Sequence, residues 1–197
     1  KSLTHTVGDK KLFNDAYMSL FGGDKLGLTG LNGAGKSTFI NILIGEVVPD
    51  AGQIKWNPRC RLGYLDQQAK VKGNPSVREY LLSAFQPLFA LEKRLNELQQ
   101  IVSTDTQRAD YDQLLEEMGE IQYRLDGAGF YDIPSVIDKT AEGLGIVAFG
   151  LDTPLASLSG GQRAKVMLAK LLMESPDVLL LDEPTNFLDT SHIDWLA

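Results

Sequence analysis

Gly30-Leu31-Asn32-Gly33-Ala34-Gly35-Lys36-Ser37 decides the reading of this chain. The stretch fills G-x-x-x-x-G-K-[ST] at every fixed position, a match that the composition alone would give with roughly a 1% chance. Upstream lies the short apolar run Leu26 to Thr29; downstream, Phe39, Ile40, Leu43 and Ile44 recur at helical spacing until Gly45, predicting a helix over Lys36 to Ile44. In a strand, glycine loop and helix arranged this way, backbone N–H groups converge on phosphate oxygens and the helix N-terminus faces them with partial positive charge. On that reading Gly30 to Lys36 cradle a nucleotide's phosphates and Lys36 reaches the β- and γ-phosphates. The Ser37 hydroxyl ligates Mg²⁺ and Thr38 adds a phosphate contact. The alternative is a glycine turn with an exposed lysine.

Such a loop needs a second magnesium ligand, ideally a carboxylate ending a buried strand. Val178 to Leu181 is a continuous apolar run, the pattern of a strand buried on both faces, and Asp182 follows it. Glu183, on the other side of the backbone, is then the candidate general base that polarises water for attack on the γ-phosphate. Alone, the Asp-Glu pair would read as a polar strand end.

Leu158-Ser159-Gly160-Gly161-Gln162 opens a helix running to Met173. Ser159 and Gln162, three residues apart, form a capping box, which stability alone would explain. It does not explain two glycines in a first turn, each weakening a helix by roughly 1 kcal/mol against alanine. They make sense where a ligand approaches the backbone closely at a helix N-terminus.

Around these motifs, Leu3 to Val7, Met18 to Phe21, Lys25 to Thr29 and Gln53 to Trp56 read as strands, as does Arg61 to Leu65. Ala69 to Pro75 reads as a loop. Val77 to Phe85, Leu88 to Val102 and Tyr111 to Leu125 carry apolar residues three and four apart, the last two joined at Ser103 to Thr106 as a helical hairpin. Pro134 to Phe149 reads as one more helix with a glycine-rich end. Strands alternating with helices, and helices concentrated in the middle, predict an α/β layer structure with an inserted helical subdomain.

The 197 residues suit one domain, and 43% hydrophobic with 23% charged residues is the range of folded soluble proteins. No run approaches the ~20 apolar residues of a membrane span, so direct membrane insertion is excluded, though docking on a membrane protein is not. A net charge of −7 disfavours broad nonspecific binding to nucleic acid. Much of that acidity falls between Gln86 and Phe130, where four basic and nine acidic residues give −5. A single cysteine, Cys60, forms no internal disulfide, fits a cytoplasmic setting and reads as a buried structural thiol. The chain opens on Lys1 rather than methionine and stops at Ala197 early in an amphipathic stretch, so it reads as truncated at its C-terminus.

The glycine loop, LSGGQ at Leu158 to Gln162 and LLLDEPTNFLD at Leu179 to Asp189, in this order and spacing, resemble an ATP-binding cassette domain. The resemblance implies a P-loop ATPase core with a mixed sheet, an antiparallel β subdomain and the inserted helices. Residues 1–75 and 150–197 would then form the nucleotide-binding core and 76–149 the helical subdomain of a single domain. It places Gln67 of Gly63-Tyr64-Leu65-Asp66-Gln67 as a ligand of Mg²⁺ and sensor of the γ-phosphate. It also implies that two cassettes, in one chain or as a homodimer, pair head to tail. ATP on one P-loop is then capped by Ser159, Gly160, Gly161 and Gln162 of the other, and Asp189 crosses the interface.

DEPTNFLD at Asp182 to Asp189 and the helical hairpin, followed by Gly127-Ala128-Gly129-Phe130-Tyr131-Asp132, resemble the first cassette of soluble ABC-F proteins that act on ribosomes. This makes a translation factor or ribosome-protecting resistance protein the first reading. Two departures stand out: Phe187 replaces a common histidine, and Val7 stands where the family stacks adenine on an aromatic ring. His5 and His192 read as surface residues. The acidity of the hairpin speaks against a ribosome-binding tip. The alternative is the ATPase subunit of a membrane transporter, with a permease as partner; a DNA-repair clamp would need a longer coiled-coil insertion.

Overall fold

The computed structural model describes residues 2–66, 71, 73–105 and 108–196, and the chain divides into two compact units. Residues 1–65 and 176–184 form the first; 66–175 and 185–197 form the second.

In the first unit, β1 (Leu3–Val7) and β2 (Lys10–Ala16) make an antiparallel hairpin that closes with Val7 opposite Lys10. The turn between them, at Gly8-Asp9, has Gly8 at φ 58°, a conformation glycine takes without a Cβ penalty. Helix α1 (Lys36–Ile44) has the predicted bounds, and it stops where Gly45, at φ 85°, donates back to the Asn41 and Ile42 carbonyls. It buries Ile40, Ile42 and Leu43. β3 (Leu62–Tyr64) pairs parallel with β4 (Val178–Leu180), Tyr64 opposite Leu180.

The remaining strand expectations fare unevenly. Among the described residues, Met18–Phe21, Lys25–Thr29 and Gln53–Trp56 join no ladder. Gly27 interrupts the second of these, and glycine weakens a strand interior; Leu26 and Leu28 are exposed rather than covered. The third is reached through a single bridge, Thr4 to Ala51, and Gly52 at φ 92° then turns the chain away. β2 escapes the reading because Lys-Lys-Leu-Phe-Asn-Asp-Ala lacks alternation; its partner β1 organises it. β4 is half-buried rather than buried on both faces.

The second unit is helical: α2 (Val77–Leu82), α3 (Gln86–Thr104), α4 (Tyr111–Gly127), α5 (Ile133–Gly143), α6 (Gly160–Met173) and α7 (Thr190–Leu196). Short 3₁₀ turns at Ser83–Phe85 and Ile146–Phe149 complete the readings that began at Val77 and Pro134. α3 and α4 form the expected hairpin, clamped by a bidentate pair in which Arg94 Nε and Nη2 donate to Glu117 at 2.8 and 3.0 Å. The most deeply buried side chains of the described protein sit here, among them Leu81, Leu98, Leu125, Ile137, Leu144 and Leu168. α6 contributes Ala164, Val166, Met167, Leu168 and Ala169 to this core, so its N-terminal motif is mounted on the most firmly packed helix of the unit.

Candidate functional site

The glycine loop is held from both sides. Gly33 sits at φ 73° and Gly35 at φ 102°, both in the left-handed region that favours glycine. Lys36 Nζ donates to the carbonyls of Gly30, at 3.0 Å, and Leu31, at 3.4 Å, so its ammonium lies back over the loop it belongs to. Phe39 N–H donates to the Gly35 carbonyl at 2.8 Å and begins the helical ladder, which leaves the amides of Lys36, Ser37 and Thr38 ahead of it. No side chain caps this end and no acidic residue lies in the first turn. Leu31, Asn32, Gly33, Ala34 and Ser37 are exposed; Thr38 is half-buried.

These features fit a polyphosphate. Donors unclaimed by a cap, a cation folded over them and a loop without carboxylates suit a ligand with several anionic oxygens. A Cβ built at Gly33 would meet no atom within 4 Å, so open space lies over the middle of the loop. The Ser37 hydroxyl, exposed, and the Asp182 carboxylate, half-buried, are oxygens of the kind magnesium takes, one or two from the protein together with substrate phosphates rather than an all-protein cage. Among the described residues no group of three or more His, Cys, Asp or Glu side chains forms such a cage.

Parallel pairing brings a second set of residues to one end of the sheet. Leu65 N–H donates to the Leu180 carbonyl at 3.3 Å, and the chain leaves β3 toward Asp66 at the same end at which it leaves β4 toward Asp182. Ligands of parallel sheets gather at this carboxyl end. Asp182 is half-buried and Glu183 is exposed, with Glu183 at φ 47°. A non-glycine residue in that conformation costs of order 1–3 kcal/mol, and such strain concentrates at functional positions. Gln67, expected beside them, lies outside the described residues.

In the helical unit, Ser159 Oγ accepts from Gln162 N–H at 3.3 Å, and Gln162 Oε1 accepts from Ser159 N–H at 2.9 Å, completing the capping box. Both side chains are thus engaged with their own helix. The glycines between them are not explained by packing: a Cβ at Gly160 would meet nothing within 4 Å, and one at Gly161 would make only ordinary contact, 3.8 Å, with Phe187. Space is left above the helix terminus, as for a ligand supplied from outside.

Asp189 caps α7, accepting from His192 N–H at 3.2 Å, with His192 Nδ1 at 2.6 Å from the same carboxylate oxygen. Lys165 Nζ of α6 lies 3.3 Å from that ring nitrogen. His192 is therefore no surface residue: only 12% of its side chain is exposed, packed where a Cβ on Gly145 would collide with it. His5 is buried too, 3.5 Å from the Asp50 carboxylate. The His192 ring lies against Gly145 and Lys165, residues distant in sequence, a packing that the local sequence does not show. Cys60 is free and half-buried.

A phosphate-binding loop on a helix, a carboxylate pair beyond a parallel strand and a capped glycine motif on a second helix define a P-loop cassette. Residues 13–186 match the ABC transporter family, and the chain belongs to it. It is 46% identical over 196 residues to the uncharacterized ABC transporter ATP-binding protein YfmM of Bacillus subtilis, covering 100% of this chain and 38% of that protein. It is 35% identical over 196 residues to the energy-dependent translational throttle protein EttA of Mycobacterium tuberculosis, covering 100% of this chain and 34% of that protein. The chain thus spans about a third of the length of these curated relatives. A solved ATP-binding subunit of an ABC transporter aligns with 100% of this chain and 70% of its own at a TM-score of 0.63 and 21% identity, a likeness of fold.

Proposed function

We propose that this cassette binds Mg-ATP on the Gly30–Thr38 loop and hydrolyses it after pairing with a second cassette, as part of an ABC-F translation factor working on the ribosome in the cytoplasm. The observation that carries the nucleotide reading is the uncapped, acid-free N-terminus of α1 with Lys36 folded over it. Lys36 and the loop amides hold the phosphates, and Glu183 takes a proton from the attacking water. Magnesium, when bound, neutralises charge on the phosphate oxygens; Ser37, Gln67 and Asp182 would hold it. Ser159, Gly160, Gly161 and Gln162 face the nucleotide of the opposite cassette, which suits glycines that nothing in their own chain crowds.

Similarity to the translational throttle protein supports the ribosome over a permease, and the DEPTN form of Asp182 to Asn186 points the same way. No helix among the described residues is long and apolar enough to cross a membrane.

Binding and turnover of Mg-ATP by the protein with Glu183→Gln test the chemistry. Loss of a general base lowers turnover by about 10²–10⁴-fold. The expected result is wild-type ATP affinity with turnover reduced to that extent; wild-type turnover would remove Glu183 from the mechanism.

A further inference from the structure

The sequence motifs do not account for one contact at the glycine loop. Lys10, on β2, donates from Nζ to the Gly33 carbonyl at 2.8 Å, although twenty-three residues separate them. The register of β2 is irregular at Leu12, between Lys11 opposite Thr6 and Phe13 opposite His5, so simple alternation does not relate Lys10 to Leu12. Contact does: a Cβ on Gly35 would lie 3.1 Å from Leu12 Cδ1. The hairpin therefore lays both side chains along the loop, with Leu12 against Gly35 and Lys10 reaching Gly33. Val7 stands directly opposite Lys10 in the register and is half exposed. It offers neither a ring nor a hydrogen-bonding group to a ligand.

An ammonium has three donors, and the Gly33 carbonyl accepts one. Lys10 is exposed, so no packing demand fixes its charge there. Its position gives the loop a second cation, from a different element than Lys36, next to the Gly33 backbone over which the structure leaves open space. We propose that Lys10 is a nucleotide-binding residue that contacts the phosphate chain of a bound nucleoside polyphosphate from the hairpin side of the loop. This rests on the reading of Gly30 to Thr38 as a phosphate site. In the resting loop Lys10 and Lys36 hold carbonyls on either side of its centre; with ligand bound, their remaining donors turn to phosphate oxygens.

The test is competition of ATP, GTP and inorganic tripolyphosphate against a fluorescent nucleotide on the wild-type protein and on the Lys10→Met, Lys10→Arg and Lys36→Ala variants. A group that touches only phosphate acts on all three competitors alike. Lys10→Met should weaken each by about tenfold, the scale of one lost charge-assisted hydrogen bond, and Lys10→Arg should restore most of it. Unchanged affinity in Lys10→Met, or weakening of ATP and GTP without tripolyphosphate, overturns the assignment. Lys36→Ala separates the two levels: if it too binds like wild type, the phosphate reading of the loop fails. If it alone loses binding, only the role of Lys10 does. A thermal melt of Lys10→Met at the wild-type temperature confirms that affinity, not folding, is being read; a lowered melt with unchanged affinity would make Lys10 a structural clamp and also overturn the assignment.

Discussion

Glu183 and Gly160 show how single residues carry the account. Glu183 is held at φ 47°, a conformation that an ordinary strand end has no reason to adopt. Gly160 takes the first helical position of α6, where alanine would favour the helix by up to about 1 kcal/mol. Nothing lies within 4 Å of a Cβ placed there, so the protein's own packing gives no reason for glycine. Gly160→Ala should therefore melt at or slightly above the wild-type temperature while ATP turnover by the paired cassettes falls by at least about tenfold, the effect of crowding a transition-state contact. Calorimetry and a steady-state ATPase assay check it; wild-type turnover would leave the glycine without a function. The α1 bounds and the capping box at Ser159 and Gln162 were legible because each is set by a contiguous stretch of local sequence. Lys10 was not, since its partner is brought to it by hairpin register. His192 was misread because its burial depends on α7 settling against Gly145 and Lys165.

Among the elements, the β3–β4 pair owes its register to a clip that the sequence does not announce. Arg61 N–H donates to Asp177 Oδ2 at 2.7 Å, and Asp177 N–H donates to the Arg61 carbonyl at 2.9 Å. The Arg61 backbone N–H, with the guanidinium 3.5 Å away, holds the Asp177 carboxyl below the ordinary carboxylate value. A carboxylate whose pKa is lower folded than unfolded contributes stability above the unfolded value of about 3.9 and loses it as pH falls through the folded one. Asp177→Asn should thus be less stable than wild type at pH 7, with a deficit that shrinks as pH falls below about 3.9, as urea melts at pH 7 and at pH 3 would show. An equal deficit at both would mean that the charge contributes nothing. Helices were readable at this scale because α1 and α3 to α6 carry apolar periodicity and clear glycine or proline punctuation. Strands were less so: Lys25 to Thr29 alternates like a strand, yet Gly27 and the absence of a ladder partner leave it irregular. β2 is polar and is a strand only because β1 pairs with it.

For the whole molecule, the Gly30–Thr38 loop, Asp182 and Glu183 fall in the first unit and the Leu158–Gln162 motif in the second. On the proposed function these would meet the same nucleotide only when two cassettes pair, which would make nucleotide-driven closure the output. The family was legible in full from motif order. The partner was not, because motif order describes the nucleotide-binding family and the acidic hairpin carries no motif that names what it meets. The most direct measurement is co-sedimentation of the protein carrying Glu183→Gln with ribosomes in ATP and in ADP. The account predicts pelleting with ribosomes in ATP and not in ADP. Absence of pelleting, with ATP binding confirmed in the same sample, would contradict it and favour a transporter subunit.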